Sequence, residues 1–422
     1  MKRPLLATLI VGIVVIVTIS ALHLSGRLLR FEMTAIEFIS SYSAATRIVP
    51  GRWQYLFIAI LSFGVAWLTL TSSRRGRVRL LAIALLIEVV GVAWVCSLYR
   101  VFFQPLPAMF AVVLAYVGAD RYAAIAQRSR AGTARSLFGD RLSKEQVHRV
   151  IAGDIPFKPE AKTYEATVVV CDMANKYDLA EECEPAMFGQ ITKAFIRRAT
   201  ELFLQAGAYI QAADGEGVVA LFGFPDRDAH HGDKAVRIAL DLVDRFREFR
   251  RANNSEASGR CDVHLGVSSG TLIVAPLQDG DRQGLLTSGE SVELARRFCV
   301  ANRFYGSRIL IGPRTFELAS RYIVARPIDF LSGVDSRERH EIYEPLWLAA
   351  EAKPEQLARR DSFWSGVVFY REKRWAEAYS EFQKARGPND EEDAPLQLYL
   401  RRLEPLALHL TESLSPEESL RF

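Results

Sequence analysis

Hydrophobic and polar positions change rhythm partway along this chain. Residues 4–24 carry no Asp, Glu, Lys or Arg and follow Lys2 and Arg3. A bilayer core takes roughly 20 apolar residues as a helix, so this run predicts a membrane span. A cleaved signal peptide is the competing reading, weakened by the poor small-x-small site at Ser20-Ala21-Leu22. Residues 53–72 predict a second span, with an aromatic start at Trp53, and residues 80–98 a third. Residues 102–118 predict a fourth, short and interrupted near its start by Pro105 and Pro107. Arg74, Arg75, Arg77 and Arg79 read as a loop on the cytoplasmic side, and Arg121, Arg128, Arg130 and Arg135 return the chain to that side. Glu88, inside the third span, is costly in lipid and predicts contact with other helices. The stretch between the first two spans, residues 25–52, is too short for a sensor domain with its own core.

After residue 120 the apolar runs shorten and alternate. Residues 122–154 predict helix with breaks near Gly132 and Gly139. The β-branched run Ala166-Thr167-Val168-Val169-Val170-Cys171 predicts a buried strand. Pro185 suits a helix first turn. Phe188, Ile191, Phe195, Ala199, Leu202 and Phe203 then recur at helical spacing over residues 185–205. Residues 209–213 and 218–222 predict a hairpin around a glycine turn. Residues 233–251 and 291–304 predict amphipathic helices, and residues 263–268, 271–275, 307–311 and 341–346 predict strands. The whole predicts an N-terminal α-helical transmembrane bundle, an α+β domain with a mostly antiparallel sheet, and a C-terminal helical tail. In the tail, Gly366, Phe369, Ala378, Phe382 and Ala385 match one tetratricopeptide unit. One unit cannot bury its own face, so the tail is expected to pack on the rest of the chain.

Composition narrows the function. The net charge of +4 over 422 residues is mild, and no basic run interleaves with aromatics in the polar part, so nucleic acid is not the expected partner. The five cysteines form no CxxC pair and read as free thiols of a reducing compartment, not as a zinc site or disulfide framework. The expected division is residues 1–120 as a four-span membrane region and 121–160 as connecting helices. Residues 161–348 form the α+β domain and 349–422 the tail. The expected location is a cell (inner) membrane, multi-pass, with the α+β domain cytoplasmic.

Four ordered motifs carry the candidate chemistry. They are Val170-Cys171-Asp172-Met173, Gly215-Glu216-Gly217-Val218-Val219-Ala220-Leu221-Phe222-Gly223, Gly289-Glu290-Ser291-Val292-Glu293-Leu294-Ala295-Arg296-Arg297, and Glu341-Ile342-Tyr343-Glu344-Pro345-Leu346. In this order and spacing, residues 163–348 resemble the catalytic domain of class III adenylate and guanylate cyclases, a ferredoxin-like α+β fold. The flanks are similar to CHASE-sensor cyclases, with the sensor absent or reduced to residues 25–52. Leu137-Phe138-Gly139-Asp140-Arg141-Leu142-Ser143 resembles their junction between helix and cyclase domain.

The resemblance implies conversion of a nucleoside triphosphate, ATP or GTP, to a cyclic nucleotide and pyrophosphate. It also implies two Mg²⁺ or Mn²⁺ ions and a site shared across a dimer. By resemblance the metal ligands are Asp172, the backbone carbonyl of Met173, and Glu216 in place of the family's Asp. Glu293 stands where the family has its ribose-positioning Asn, and Arg297 keeps the phosphate-binding Arg. The base-reading positions fall on Ala212 and Leu286, with Thr287 adjacent. A later phosphate-binding Lys falls at Ser332-Gly333, and an expected aromatic is Lys176. That lysine reads as solvated, or as a displaced phosphate ligand. Asp214 could replace Glu216 only if the turn shifted. His230 and His231 read as the polar entry to a helix.

Glu293 brings negative charge toward a polyanion. Two charges about 4 Å apart at an effective dielectric near 20 interact by roughly 4 kcal/mol, about a thousandfold in rate. The scaffold motifs survive while the base- and phosphate-reading groups are replaced. That pattern implies a degenerate site, weak or inactive, on a dimerising signalling module. The competing readings are an active divergent adenylate or guanylate cyclase, a heterodimer subunit lending Asp172 and Glu216 to an intact partner, and an unrelated α+β membrane protein.

Overall fold

The computed structural model describes residues 2–25, 31, 47–48, 51–72, 75–99, 101–252, 261–279, 282–332, 338–388 and 393–413. Most of residues 25–52, together with Arg74 and Gly333, lie outside this set, and so do the expectations placed on them. The chain divides into two compact units, Met1–Gly132 and Thr133–Phe422.

The first unit contains α1 (Lys2–Leu24), β1 (Arg47–Ile48), α2 (Gly51–Thr71), α3 (Arg75–Leu98) and β2 (Val101–Phe102). It also holds most of α4 (Pro105–Phe138). Four helices are long and apolar enough to cross a membrane. Ala108, Ala111, Ala115 and Ala119 form a buried small-residue stripe on α4, which lets backbones approach closely. Val11, Val15, Ile58, Leu61 and Val65 fill the same cluster from α1 and α2.

Four details of this unit depart from expectation. Val101 and Phe102 form a short strand parallel to Arg47 and Ile48 instead of starting a helix. Pro105 and Pro107 sit in the first turn of α4, where a missing N–H costs no intrahelical bond. The helix then runs through Gly132 without a break, since one glycine among good helix formers costs only about 1 kcal/mol. Arg75, Arg77 and Arg79 belong to α3 instead of a loop. Glu88 is exposed, because α3 turns Val78, Ala82 and Val89 inward and leaves Glu88 off that stripe.

The second unit begins with the end of α4. Gly139, with φ of 47°, breaks the helix, and Ser143 caps α5 (Lys144–Ala152) by accepting from the Gln146 amide. Then follow β3 (Lys162–Met173), α6 (Lys176–Glu182), α7 (Pro185–Gln205), β4 (Tyr209–Asp214), β5 (Gly217–Phe222) and α8 (His231–Ala252). Next come β6 (Val263–Asp279), β7 (Arg282–Ser288), α9 (Glu290–Tyr305), β8 (Ile309–Ile311), α10 (Pro313–Ala319), β9 (Ile323–Ser332) and β10 (Arg339–Leu348). The sheet order is β4-β5-β3-β6-β8-β10-β9, with β7 pairing β6 off that path. Within this sheet only the β6–β8 pair is parallel among the described strands. This is the expected α+β domain with a mostly antiparallel sheet.

Period-two alternation along β3 builds two cores. Val169 and Cys171 join Val218, Ala220 and Phe222 beneath the apolar faces of α7 and α8. Val168 and Val170 point the other way, joining Val219, Leu221, Tyr209 and Phe224. Leu137, Phe138 and Leu142 from the junction segment are buried in that second cluster, with the Phe138 ring 4.8 Å from Phe157 and 6.1 Å from Tyr209. The end of α4 is thereby seated on the face of this sheet.

Residues 263–268 and 271–275 form one strand, not two. Ser269 and Gly270 keep the register against Thr167 and Ala166, so the chain has no reason to turn there. The sequence pattern gave no sign of β7, whose exposed Leu286 and buried Leu285 and Thr287 break simple alternation of apolar residues. The tail comprises α11 (Pro354–Arg371), α12 (Trp375–Lys384) and α13 (Ala394–Ser413). Gly366 lets the Phe382 ring pass where a Cβ would stand only 2.9 Å away. Phe363, Val367, Phe382, Leu396 and Tyr399 pack with Leu294 and Phe298 of α9 and Ile328 and Ile342 of the sheet. The tail thus packs on the domain, as the single repeat unit implied.

Candidate functional site

The sheet brings the first two motifs together at one end. Cys171 is the last residue of β3 paired with β5, opposite Val218, so Asp172 lies beside the turn of the β4–β5 hairpin. Gly217 makes this approach possible. Its φ is 103°, and a Cβ there would meet the Cys171 carbonyl oxygen at 2.3 Å. The Glu216 amide donates to Asp214 Oδ1 at 2.9 Å, so Asp214 is the turn's own acceptor and does not replace Glu216.

Between the two carboxylates stands Lys176. Its Nζ is 3.0 Å from Asp172 Oδ2 and 3.3 Å from Glu216 Oε2. The lysine side chain is 13% exposed, against 81% for Glu216, so its earlier reading as a solvated group or phosphate ligand is corrected. The spacing explains it: Asp172 is the penultimate residue of β3, and Lys176 opens α6 after a two-residue connection, so its stem turns back over the carboxylate. The second oxygen of Asp172 accepts from the Met173 amide at 2.8 Å. The Met173 side chain is buried in the core beside Cys261.

Charge follows from these contacts. Burial pushes the Asp172 carboxyl above the usual carboxylate range, with Lys176 and the Met173 amide pulling the other way. Burial also works against the Lys176 ammonium, but Asp172 and Glu216 together hold it above the ordinary lysine range. The opposite balances have one cause: the lysine has two partners of opposite charge, whereas Asp172 has one and a like-charged neighbour.

The pair was tested as a holder of the divalent ions that the resemblance implies. Hard cations take about six oxygen ligands. Here one Asp172 oxygen serves a backbone amide, Asp214 serves the turn, and an ammonium lies between the remaining oxygens. The residues as arranged do not fit a divalent metal at this pair.

The third motif forms a second charged group. Glu293 and Arg297 lie one turn apart on α9, with Arg297 Nε 3.1 Å from Glu293 Oε1 and Nη1 3.4 Å from the Ser332 carbonyl. Ala212 lies on β4, half-buried against the second apolar cluster, and Leu286 lies on β7 with its side chain about half exposed at 51%. Their strands are separated in the sheet by β5, β3 and β6, so the two base-reading positions do not meet within one chain.

His231 is buried, not a polar entry. Its Nδ1 lies 2.7 Å from Thr167 Oγ1, which in turn lies 2.7 Å from Ser269 Oγ. Burial lowers its pKa. His230 is exposed, so the adjacent histidines diverge. Sequence reasoning missed the role of Lys176; its signal was the four-residue spacing from Asp172 next to a second acidic turn.

The chain is similar to several known proteins. Adenylate cyclase 1 of Rhizobium meliloti is 22% identical over 180 residues, covering 43% of this chain and 27% of that protein. A uridylate cyclase of Rhodovulum is 24% identical over 147 residues, covering 34% of this chain and 59% of that protein. The adenylyl cyclase CyaB from P. aeruginosa, a solved structure, covers 46% of this chain and 98% of that chain at 20% identity and a TM-score of 0.41. The chain thus spans between 27% and 59% of the length of these two curated relatives. No protein-family model matches the chain. The sequence matches support the class III nucleotide cyclase family for the α+β domain.

Proposed function

We propose that this chain is a membrane-anchored, cyclase-like signalling protein. In this reading its α+β domain, facing the cytoplasm from an inner membrane, dimerises and relays a membrane signal with weak or no turnover. One observation carries the reading: Arg297, the retained phosphate-binding position, is already engaged at 3.1 Å by Glu293, the residue that replaces the family's Asn. A phosphate would have to displace that carboxylate and then lie beside it. The replaced positions Ala212 and Leu286 support the same reading, since neither side chain can hydrogen-bond a base. The seating of Phe138 in the sheet-face cluster offers a route from α4 into the domain.

The test is the full-length protein in detergent micelles, assayed with Mn²⁺ and either ATP or GTP beside Asp172→Ala. The expected result is a dimer by light scattering and no cyclic nucleotide above the Asp172→Ala control. Asp172-dependent product from the homodimer would establish an active divergent cyclase instead. Asp172-dependent product only in the presence of an intact cyclase would establish the heterodimer subunit.

A further inference from the structure

We propose that Lys176 is the resident cation of the carboxylate pair, so that this domain keeps Asp172 and Glu216 neutralised by its own side chain and takes up no divalent metal there. The inference rests on the cyclase-like reading, because that reading makes the pair a metal site by descent. It adds what now fills the site.

Three observations support it. The ammonium contacts both carboxylates, at 3.0 Å and 3.3 Å, and is withdrawn from solvent. The backbone beneath it is held in place. The Ala174 amide donates to the Asp262 carbonyl at 2.9 Å, the Asp262 amide donates to Asn175 Oδ1 at 3.1 Å, and Arg303 donates to the Ala174 carbonyl at 3.3 Å. Tyr177, next in sequence, has its ring 5.0 Å from the Arg303 guanidinium. The lysine stem therefore leaves a fixed point, four residues after the carboxylate it meets.

The third observation is the poverty of the remaining donor set. A divalent ion entering here would need oxygen ligands beyond the two carboxylates, and the carboxylate of the same turn, Asp214, accepts the Glu216 amide. A tethered ammonium acts at an effective concentration in the millimolar range or above, so a free ion competes at a disadvantage. A single positive charge suits the pair, since Glu216 is mostly in water and needs little neutralising.

Mn²⁺ binding measured by electron paramagnetic resonance on the full chain in micelles tests the proposal without relying on turnover. Wild type and Asp172→Ala should show the same Mn²⁺ binding. Lys176→Ala should gain a site at least about tenfold tighter than any in wild type, and Lys176→Ala combined with Asp172→Ala should lose it. Lys176→Met keeps the aliphatic stem and should show the same gain, which covers a misfolded alanine variant. Asp172-dependent Mn²⁺ binding in wild type would overturn the proposal, as would folded Lys176 variants that gain no site. The outcomes separate from those of the function reading. Mn²⁺ bound without cyclic nucleotide removes the resident cation alone, whereas Asp172-dependent product in wild type removes the non-catalytic reading.

Discussion

Replacing Arg326 by Met should cost about 3–5 kcal/mol, the range for breaking a buried ion pair from one side. Arg326 sits on β9 with its side chain 8% exposed. Its Nη2 lies 2.7 Å from both Glu344 Oε2 and Asp393 Oδ1, and its Nη1 lies 2.8 Å from Asp393 Oδ2. The guanidinium also lies 4.4 Å from the centroid of the Phe363 ring. One side chain therefore ties the sheet, through Glu344 on β10, to α11 and to the residue just before α13. Methionine keeps the stem's packing but leaves two carboxylates facing each other in a dry site. Burial already pushes the Glu344 carboxyl up, with Arg326 holding it down. Without Arg326 that carboxyl rises further. A raised carboxyl favours the folded state below its unfolded value near 4.5 and loses that advantage as pH climbs through its folded value. The cost of Arg326→Met should thus be largest at pH 7 and shrink as pH falls toward about 4.5. Urea unfolding of the full chain, followed by tryptophan fluorescence with Trp364 and Trp375 in the tail, measures it. Asp393→Asn and the double variant complete a cycle. A cost under about 1 kcal/mol, or one that does not vary with pH, would refute the reasoning.

Two further outcomes follow from single residues. Burial pushes the half-buried His264 imidazole down to about 4, so the unfolded chain protonates first, and stability should fall as pH drops from about 6.5 to about 4 and then level off. The full change is about 3 kcal/mol, and His264→Gln should remove it; identical pH profiles for the two proteins would show that the imidazole is not the source. Gly217→Ala should lower stability by about 2 kcal/mol or more, because the turn needs positive φ and the Cβ meets the Cys171 carbonyl. An unchanged melting temperature in Gly217→Ala would mean that the turn can open without cost.

The sequence made the fold legible wherever burial imposed a period. The α7 helix is the clearest case: Ile191, Phe195, Ala199, Leu202 and Phe203 mark its buried stripe, and its ends coincide with the expected ones. The strands β3 and β5 were equally readable, because both are buried on two faces and so are largely apolar. The joins were harder to read. Whether Ser269-Gly270 turns or continues depends on Thr167 and Ala166, which are remote in sequence and supply the partner strand. The direction of Glu88 depends on which face of α3 packs, and a nearly all-apolar helix does not announce that. At the candidate site, Asp172, Glu216, Glu293 and Arg297 were each singled out by the resemblance to the cyclase motifs. What they touch could not be found that way. Lys176 occupies a position where the family has an aromatic, and a lone lysine is ordinarily solvated; only the fold places a second carboxylate beside it.

The two charged groups now differ in strength, and the difference bears on how the site diverged. Glu293 and Arg297 have side chains 48% and 38% exposed, so water and salt screen them, and such a pair is worth at most about 1 kcal/mol. Lys176 is withdrawn from water and meets two carboxylates, so its hold on Asp172 is harder to loosen. A cyclase site works with a cation between its carboxylates and an anion against its arginine. In this chain a lysine and a glutamate supply both charges from within. On the function proposed above, the charge pattern of an occupied site is thereby kept without ligands. Glu293→Asn would take the carboxylate away from Arg297 at little cost and leave the Ser332 carbonyl contact, while Lys176 would still stand between Asp172 and Glu216.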